Sequence, residues 1–286
     1  MFVLGLSAAL AASVLFNLGV ALQALDAREA PKEEAMRLSL LNRLVRRRRW
    51  LLGFALGGLG FPLEVLAFAD APFVVVQPAL ASGLVLLLFL GVRMLGEHVG
   101  RVELIGVLAI IGGMALLAWG APDRTEMHRS AMAVTAVVGS LTVLTFVPFV
   151  IRGSRYDGAA VAILGSALGF AAGNIATKLM SDDFNGAHVT SAVIWLAVTA
   201  VTGIAAILLE MTALQRTRAT TVVPVSFAIQ TFLPIVLEPL FLSERWSTAN
   251  FYGVPMVGGM ALIFIGTIAV SRTRAVARMV AAEDLG

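Results

Sequence analysis

The chain has 286 residues, 59% of them hydrophobic and 14% charged, with a mean hydropathy of +0.91. A soluble globular domain carries about 25% charged residues, so this composition excludes one and makes the bilayer the main solvent. A formal net charge of only +3 argues against a nucleic-acid binder, and the absence of cysteine removes disulfide scaffolds and thiolate metal centres.

Runs of about 20 apolar residues, enough to cross about 30 Å of hydrocarbon as a helix, can be read at nine places. The first, Met1 to Leu25, carries Asn17. It lacks a basic n-region and eight more runs follow, so it is expected to stay as a helix rather than be cleaved as a signal peptide. A polar stretch, 26–50, ends in Arg46, Arg47, Arg48 and Arg49 against Trp50. These are read as a topology anchor on anionic inner-leaflet lipids, not as a nucleic-acid site. Upstream, Met36, Leu38, Leu41, Leu44 and Val45 share one face of a short helix expected to lie on that leaflet.

The second run, Leu51 to Ala69, holds Pro62 and Glu64, and the third, Phe73 to Val92, opens near Gln77 and Pro78. Glu97 precedes the fourth, Val102 to Trp119, and the fifth is Ala131 to Ile151. The sixth, Ala159 to Met180, carries Asn174 and Lys178; the seventh, Val189 to Leu214, has Glu210 near its end. The eighth, Thr221 to Leu242, contains Pro224, Gln230 and Glu238, and Glu244 precedes the ninth, Phe251 to Ser271. A spanning segment in lipid must satisfy its own backbone, and β-barrel alternation is absent. The expected fold class is therefore an all-α integral membrane protein of nine transmembrane helices.

The stretch from Glu64 to Gly120 returns 146 positions later as Glu210 to Gly266. Each glutamate stands fourteen residues before a proline, Pro78 or Pro224; Leu-Gly-Glu ends at Glu97 and Leu-Ser-Glu at Glu244; GGMAL occupies both Gly112 to Leu116 and Gly258 to Leu262. So many marks in order indicate duplication. Orientation follows from Lys and Arg, which stay on the cytoplasmic side. With the N-terminus outside and the C-terminus inside, 17 of the 21 basic residues are cytoplasmic, all but Arg124, Arg129, Lys178 and Arg245. The copies lie five spans apart, an odd number, so they face opposite ways. The organisation expected is four plus one plus four: 1–120 as the first repeat with the basic cytoplasmic loop 26–50, 131–151 as a linking helix, 159–271 as the inverted second repeat, and 272–286 as a cytoplasmic tail. Inverted repeats suit secondary transporters, because mirror-related halves supply two nearly degenerate states.

Several of these marks also resemble a family. The run Gly60 to Pro72, Gln77-Pro78, Leu-Gly-Glu at Glu97 and the glycine-rich fourth span closing at Ala121-Pro122 look like the drug/metabolite transporter superfamily; the nine-span plan is most similar to its NIPA-type magnesium transporters rather than to its ten-span EamA type. The resemblance implies a solute carrier, with Mg²⁺ or another cation as cargo and Glu64 as the candidate metal ligand. Where the family motif places a glutamate directly after the Gly60 position this chain has Phe61, and the acid stands at Glu64.

Ionisable groups inside spans cost a few kcal/mol and are functional candidates by default. Glu64 sits about 8 Å below the outer end of its span. With Glu238, Lys178 and Gln77 it is expected to line an outward vestibule, with Asn174 one turn below Lys178. Glu210 lies near the inner end of span seven, where pairing with Arg216 is the plainer alternative. Glu64 and Glu210 are expected to differ in depth by more than about 12 Å, as counterparts in two half-sites. Asn17, Asn174, Gln77 and Gln230 also suit helix-to-helix hydrogen bonds. Pro78 and Pro224 are the expected gating bends. Glu97 and Glu244 are read as structural, each complementing the dipole of the next span's N-terminus.

His98, His128 and His188 are scattered, and no nucleotide-binding glycine motif occurs, so no enzyme and no resident cofactor is expected. Mg²⁺ would enter only as cargo, needing one or two carboxylates. The functional classes left open are a cation carrier, a proton-coupled exporter of small organic metabolites or drugs, and a non-transporting membrane interaction protein. All would sit multi-pass in a plasma membrane, a bacterial inner membrane on this composition. Partners would be lipid and a small solute or cation, and a homodimer is compatible with either transport reading.

Overall fold

A computed structural model describes residues 2–71, 73–120, 131–154, 157–185, 188–242 and 250–283. Among them the regular structure is helical: α1 (Phe2–Glu29), α2 (Leu38–Leu44), α3 (Arg48–Asp70), α4 (Phe73–Leu95), α5 (Arg101–Gly120), α6 (Ala131–Val150), α7 (Ala159–Asn185), α8 (Val189–Arg216), α9 (Ala219–Leu242) and α10 (Val254–Glu283), with short 3-10 turns at Lys32–Glu34 and Asn250–Gly253. Among the described residues eight of these, all but α2 and α9, are long and apolar enough to cross a membrane, and α9 is apolar over Ala219–Pro234. The protein is thus an all-α, multi-pass membrane protein. Several helices overrun the apolar runs, α1 to Glu29 and α7 to Asn185. Hydropathy marks contact with lipid, whereas the i to i−4 hydrogen bonds continue into the polar ends.

The helices pair in two similar sets. In one, α1 packs on α3 and α4, and α4 on α5; in the other, α7 packs on α8 and α9, and α9 on α10. The sets meet chiefly where α5 lies antiparallel to α10. A Cβ on Gly113 would fall 2.7 Å from the Gly259 carbonyl oxygen, one on Gly259 would fall 2.6 Å from that of Gly113, and one on Gly106 would fall 2.9 Å from that of Gly266. Glycine every seven residues lets two backbones touch along a continuous seam. Gly113 and Gly259 hold the same place in the repeated GGMAL letters and face each other, so a local two-fold axis passes between them. Their neighbours differ: a Cβ on Gly112 would meet nothing within 4 Å, and one on Gly258 only Leu116 Cδ1 at 3.9 Å.

The linking helix α6 sides with the second set, packing Val134, Val138 and Leu141 against Ala172, Ile175 and Leu179. The segment before α3 corrects the expectation of a helix lying on the leaflet. A short helix does form, but Met36, Leu40 and Leu44 are buried in a cluster with Trp50, Met211 and Leu214. Its apolar side therefore roofs the end of α8, while Leu38 and Val45 stay exposed. Met36, at φ +54°, donates its backbone N–H to Thr212 Oγ1 at 2.9 Å, which fixes this strained turn onto α8.

Candidate functional site

Carboxylates divide into two groups by what they touch. Among the described carboxylates of the arginine-rich end, all but the exposed Glu33 are engaged. Asp26, 1% exposed at the end of α1, accepts the Trp50 backbone N–H at 2.9 Å and Arg47 Nη1 at 3.2 Å. Arg47, the N-cap residue of α3, provides no side-chain cap, and Asp26 supplies one from outside the helix. Glu29 pairs with Arg47 and Arg49. Half of the arginine tetrad is thus neutralised within the protein, and Arg46 and Arg48 remain exposed.

Glu97 is structural in a different way from the one expected. It caps not α5, the next span, but α9. Its carboxylate accepts the backbone N–H groups of Ala219 at 2.7 Å and Thr220 at 3.0 Å, the Thr220 hydroxyl, and Arg28 Nη2. The start of α5 is closed by Glu103, which accepts the Gly100 N–H at 2.9 Å, the back-reaching half of a capping box. Asp157 accepts from Arg216 and, at 2.8 Å, from the Gly153 N–H; the guanidinium foremost holds this carboxyl below the usual aspartate range. Glu34 is likewise lowered by its hydrogen bonds from Arg43.

Glu64 and Glu210 stand apart. Both are part-buried within the bilayer-crossing helices α3 and α8, and neither has a hydrogen-bond or ion-pair partner among the described residues. The alternative of a Glu210–Arg216 pair is not what forms, since Arg216 reaches Asp157. Their settings match. Glu64 is four residues after Gly60, which lies against Phe16 of α1, and three before the buried Ala67. Glu210 is four residues after Ala206, which lies against Gly169 of α7, and three before the buried Ala213. Each acid therefore borders the stripe by which its helix packs on the first helix of its own set. Depth separates them. Trp50 Nε1 donates to Met211 Sδ at 3.2 Å, placing the start of α3 beside the end of α8. Glu64 lies fourteen residues further along α3, about 20 Å at 1.5 Å per residue. No one ion can touch both.

Among the described candidates Asn17, Asn174 and Gln230, none is hydrogen-bonded to either acid. Asn17 is buried and donates Nδ2 to the Ser13 carbonyl at 2.8 Å; its amide and the Ser13 hydroxyl, which donates to the Leu80 carbonyl at 2.6 Å, fill the space over Gly83. This is α1–α4 packing. Its sequence counterpart Asn174 is exposed on α7, and Gln230 is part-buried on α9. Gln77, Lys178 and Glu238 are helical, but their side chains lie outside the described residues, as does the whole of Glu244. Pro78 and Pro224 are each the sixth residue of a continuous helix, α4 and α9. Among the described residues no group of three or more His, Cys, Asp or Glu is placed to hold a metal.

Sequence reasoning missed Asp26, Arg28, Glu103 and Asp157. Only Glu103 carried a local signal, its three-residue spacing from Gly100. The others act across loops. No family model, no curated protein and no solved structure matches the chain.

Proposed function

We propose that the protein is a secondary transporter of the drug/metabolite transporter type, working by alternating access, with its N-terminus outside and Glu64 and Glu210 as the carboxylates of two half-sites. The observation that carries this reading is the pair of unpartnered intramembrane acids in matching settings, when the buried acids described at the arginine-rich end are all engaged. A carboxyl left without a donor in the bilayer is costly unless it meets water, a proton or a cation. The cargo or coupling ion is therefore a cation, with Mg²⁺ favoured by the resemblance to NIPA-type carriers. A second reading, a proton-coupled exporter of organic solutes, is favoured by the solitude of each acid, because one carboxyl suffices for a proton. Neither reading requires an enzymatic step.

The test is flux in proteoliposomes, for Mg²⁺ and for proton-coupled solutes, with Glu64→Gln and Glu210→Gln beside the unaltered protein. Each variant is expected to lose at least about tenfold in rate, the loss of one interaction worth about 1.4 kcal/mol in the transport cycle. Mg²⁺ flux that follows the membrane potential without proton movement selects the first reading. Unimpaired flux in both variants removes the acids from the site.

A further inference from the structure

We infer that Glu97 is the latch of a gate at the arginine-rich end, and that the structure is the conformer in which this end is shut. The inference rests on the alternating-access proposal for its purpose, but its geometry is independent of any cargo. At this end of the bundle a cluster of hydrogen bonds and an ion pair joins the α1–α5 set to the α7–α10 set. The α8–α9 turn gathers most of them. Arg218 Nη1 donates to the His98 carbonyl at 2.9 Å, and Gln215 Nε2 to the Pro31 carbonyl at 3.3 Å.

Glu97 is the buried centre, 6% exposed. One carboxylate holds Arg28 from α1 and, across the divide, the first two amides and a hydroxyl of α9. Moving α9 away strands a buried charge and two helix-end donors together, so the contact breaks as a unit rather than gradually. Beside it lies a cavity of about 290 Å³ walled by Arg28, Glu97, His98, Gln215, Arg216 and Arg218. Gln215 is five residues, about 8 Å, beyond Glu210 on α8. The shut end therefore stands between the Glu210 half-site and the aqueous phase on that side, and release of Glu97 opens the route.

The chain has no native cysteine, so a single probe reports the gate. Thr217, 6% exposed, lines the cavity and accepts a near-isosteric Thr217→Cys change. Labelling by a membrane-impermeant maleimide from the arginine-rich side is expected to be slow, to accelerate about tenfold or more with Glu97→Gln, and about threefold with Thr220→Val, which removes one donor and keeps the side-chain shape. If Glu97→Gln fails to fold, Thr220→Val and Arg28→Gln carry the test. Folded variants labelled at the parent rate overturn the latch. Faster labelling without any transport activity upholds the latch and sinks the transporter reading.

Discussion

The two glycines of each GGMAL copy are identical in sequence and opposite in consequence. Replacing Gly113 by Ala drives a methyl group to 2.7 Å from the Gly259 carbonyl oxygen and 2.9 Å from the Ile263 backbone nitrogen. Both are main-chain atoms that no rotamer change can move. Relief requires α5 and α10 to separate by about 0.5 Å, and a gap of that size forfeits about a quarter of the dispersion well for each contact along the seam. Overpacking of this kind costs about 1–3 kcal/mol. The same change at Gly112 meets nothing within 4 Å and gains the helix preference of alanine over glycine, about 0.4–1 kcal/mol. Adjacent substitutions are thus expected to differ by about 2–3 kcal/mol in opposite senses. Gly259→Ala and Gly258→Ala should repeat the contrast on the other helix. Thermal unfolding of the four purified variants in one detergent, followed by far-UV circular dichroism, measures it. Equal effects at Gly112 and Gly113, or a neutral Gly113→Ala, would refute the antiparallel glycine seam and the two-fold axis drawn through it.

Two further outcomes follow from the engaged acids. Asp26→Ala removes the cap of α3 and an arginine partner at once, and is expected to destabilise by about 2 kcal/mol, whereas Asp26→Asn, which can still accept the Trp50 N–H, should lose less; equal losses would show that capping is not its role. Asp157 has a lowered pKa because of Arg216, so its pair stabilises the folded chain above the ordinary aspartate pKa of about 3.9 and that contribution disappears as pH falls through the lower folded value. Compared with Arg216→Gln, the parent should be more stable at pH 6, with the gap narrowing as pH falls below the ordinary aspartate pKa, and a gap that does not narrow on acidification would contradict the assignment.

The spans were legible because hydropathy and helix length are local: α5 begins and ends within one residue of the apolar run, 101–120 against 102–119, and α6 differs at one end only. The antiparallel meeting of α5 and α10 was implicit in the repeated letters and in the odd offset of five spans from one copy to the other. Local pattern could not say which glycine of each pair touches its partner, because both lie within one turn and only the rotation of the helix distinguishes them. Nor could it foresee that Glu97 reaches α9, 122 positions away, since a capping acid next in sequence to one helix end is equally available to any helix end nearby. Asn17 and Asn174 look equivalent in sequence, yet one packs over Gly83 and the other is exposed. Gly83 leaves room for Asn17, and its counterpart 146 positions on is Ile229. The paired residue across the interface, not the asparagine, decides.

The two sets of helices are alike in their internal packing and unlike in what joins them. α1 and α3 are connected through residues 30–47, which carry α2 and cover the end of α8; α7 and α8 are separated only by 186–188, too few residues to cover any helix. On an alternating-access cycle this breaks the degeneracy that an inverted repeat would otherwise provide. The shut arginine-rich end gains the Met36–Thr212, Trp50–Met211 and Gln215–Pro31 contacts, each worth about 0.5–1.5 kcal/mol if a neutral hydrogen bond is the measure. Their sum, about 2–4 kcal/mol, favours this conformer by a factor of tens to hundreds before any cargo binds. A ligand can reverse that only by binding the opposite conformer more tightly by at least the same amount. On the proposed cycle the resting state is therefore biased by the loop that only the first repeat possesses together with the start of α3, while exchange is left to the acids that both repeats share.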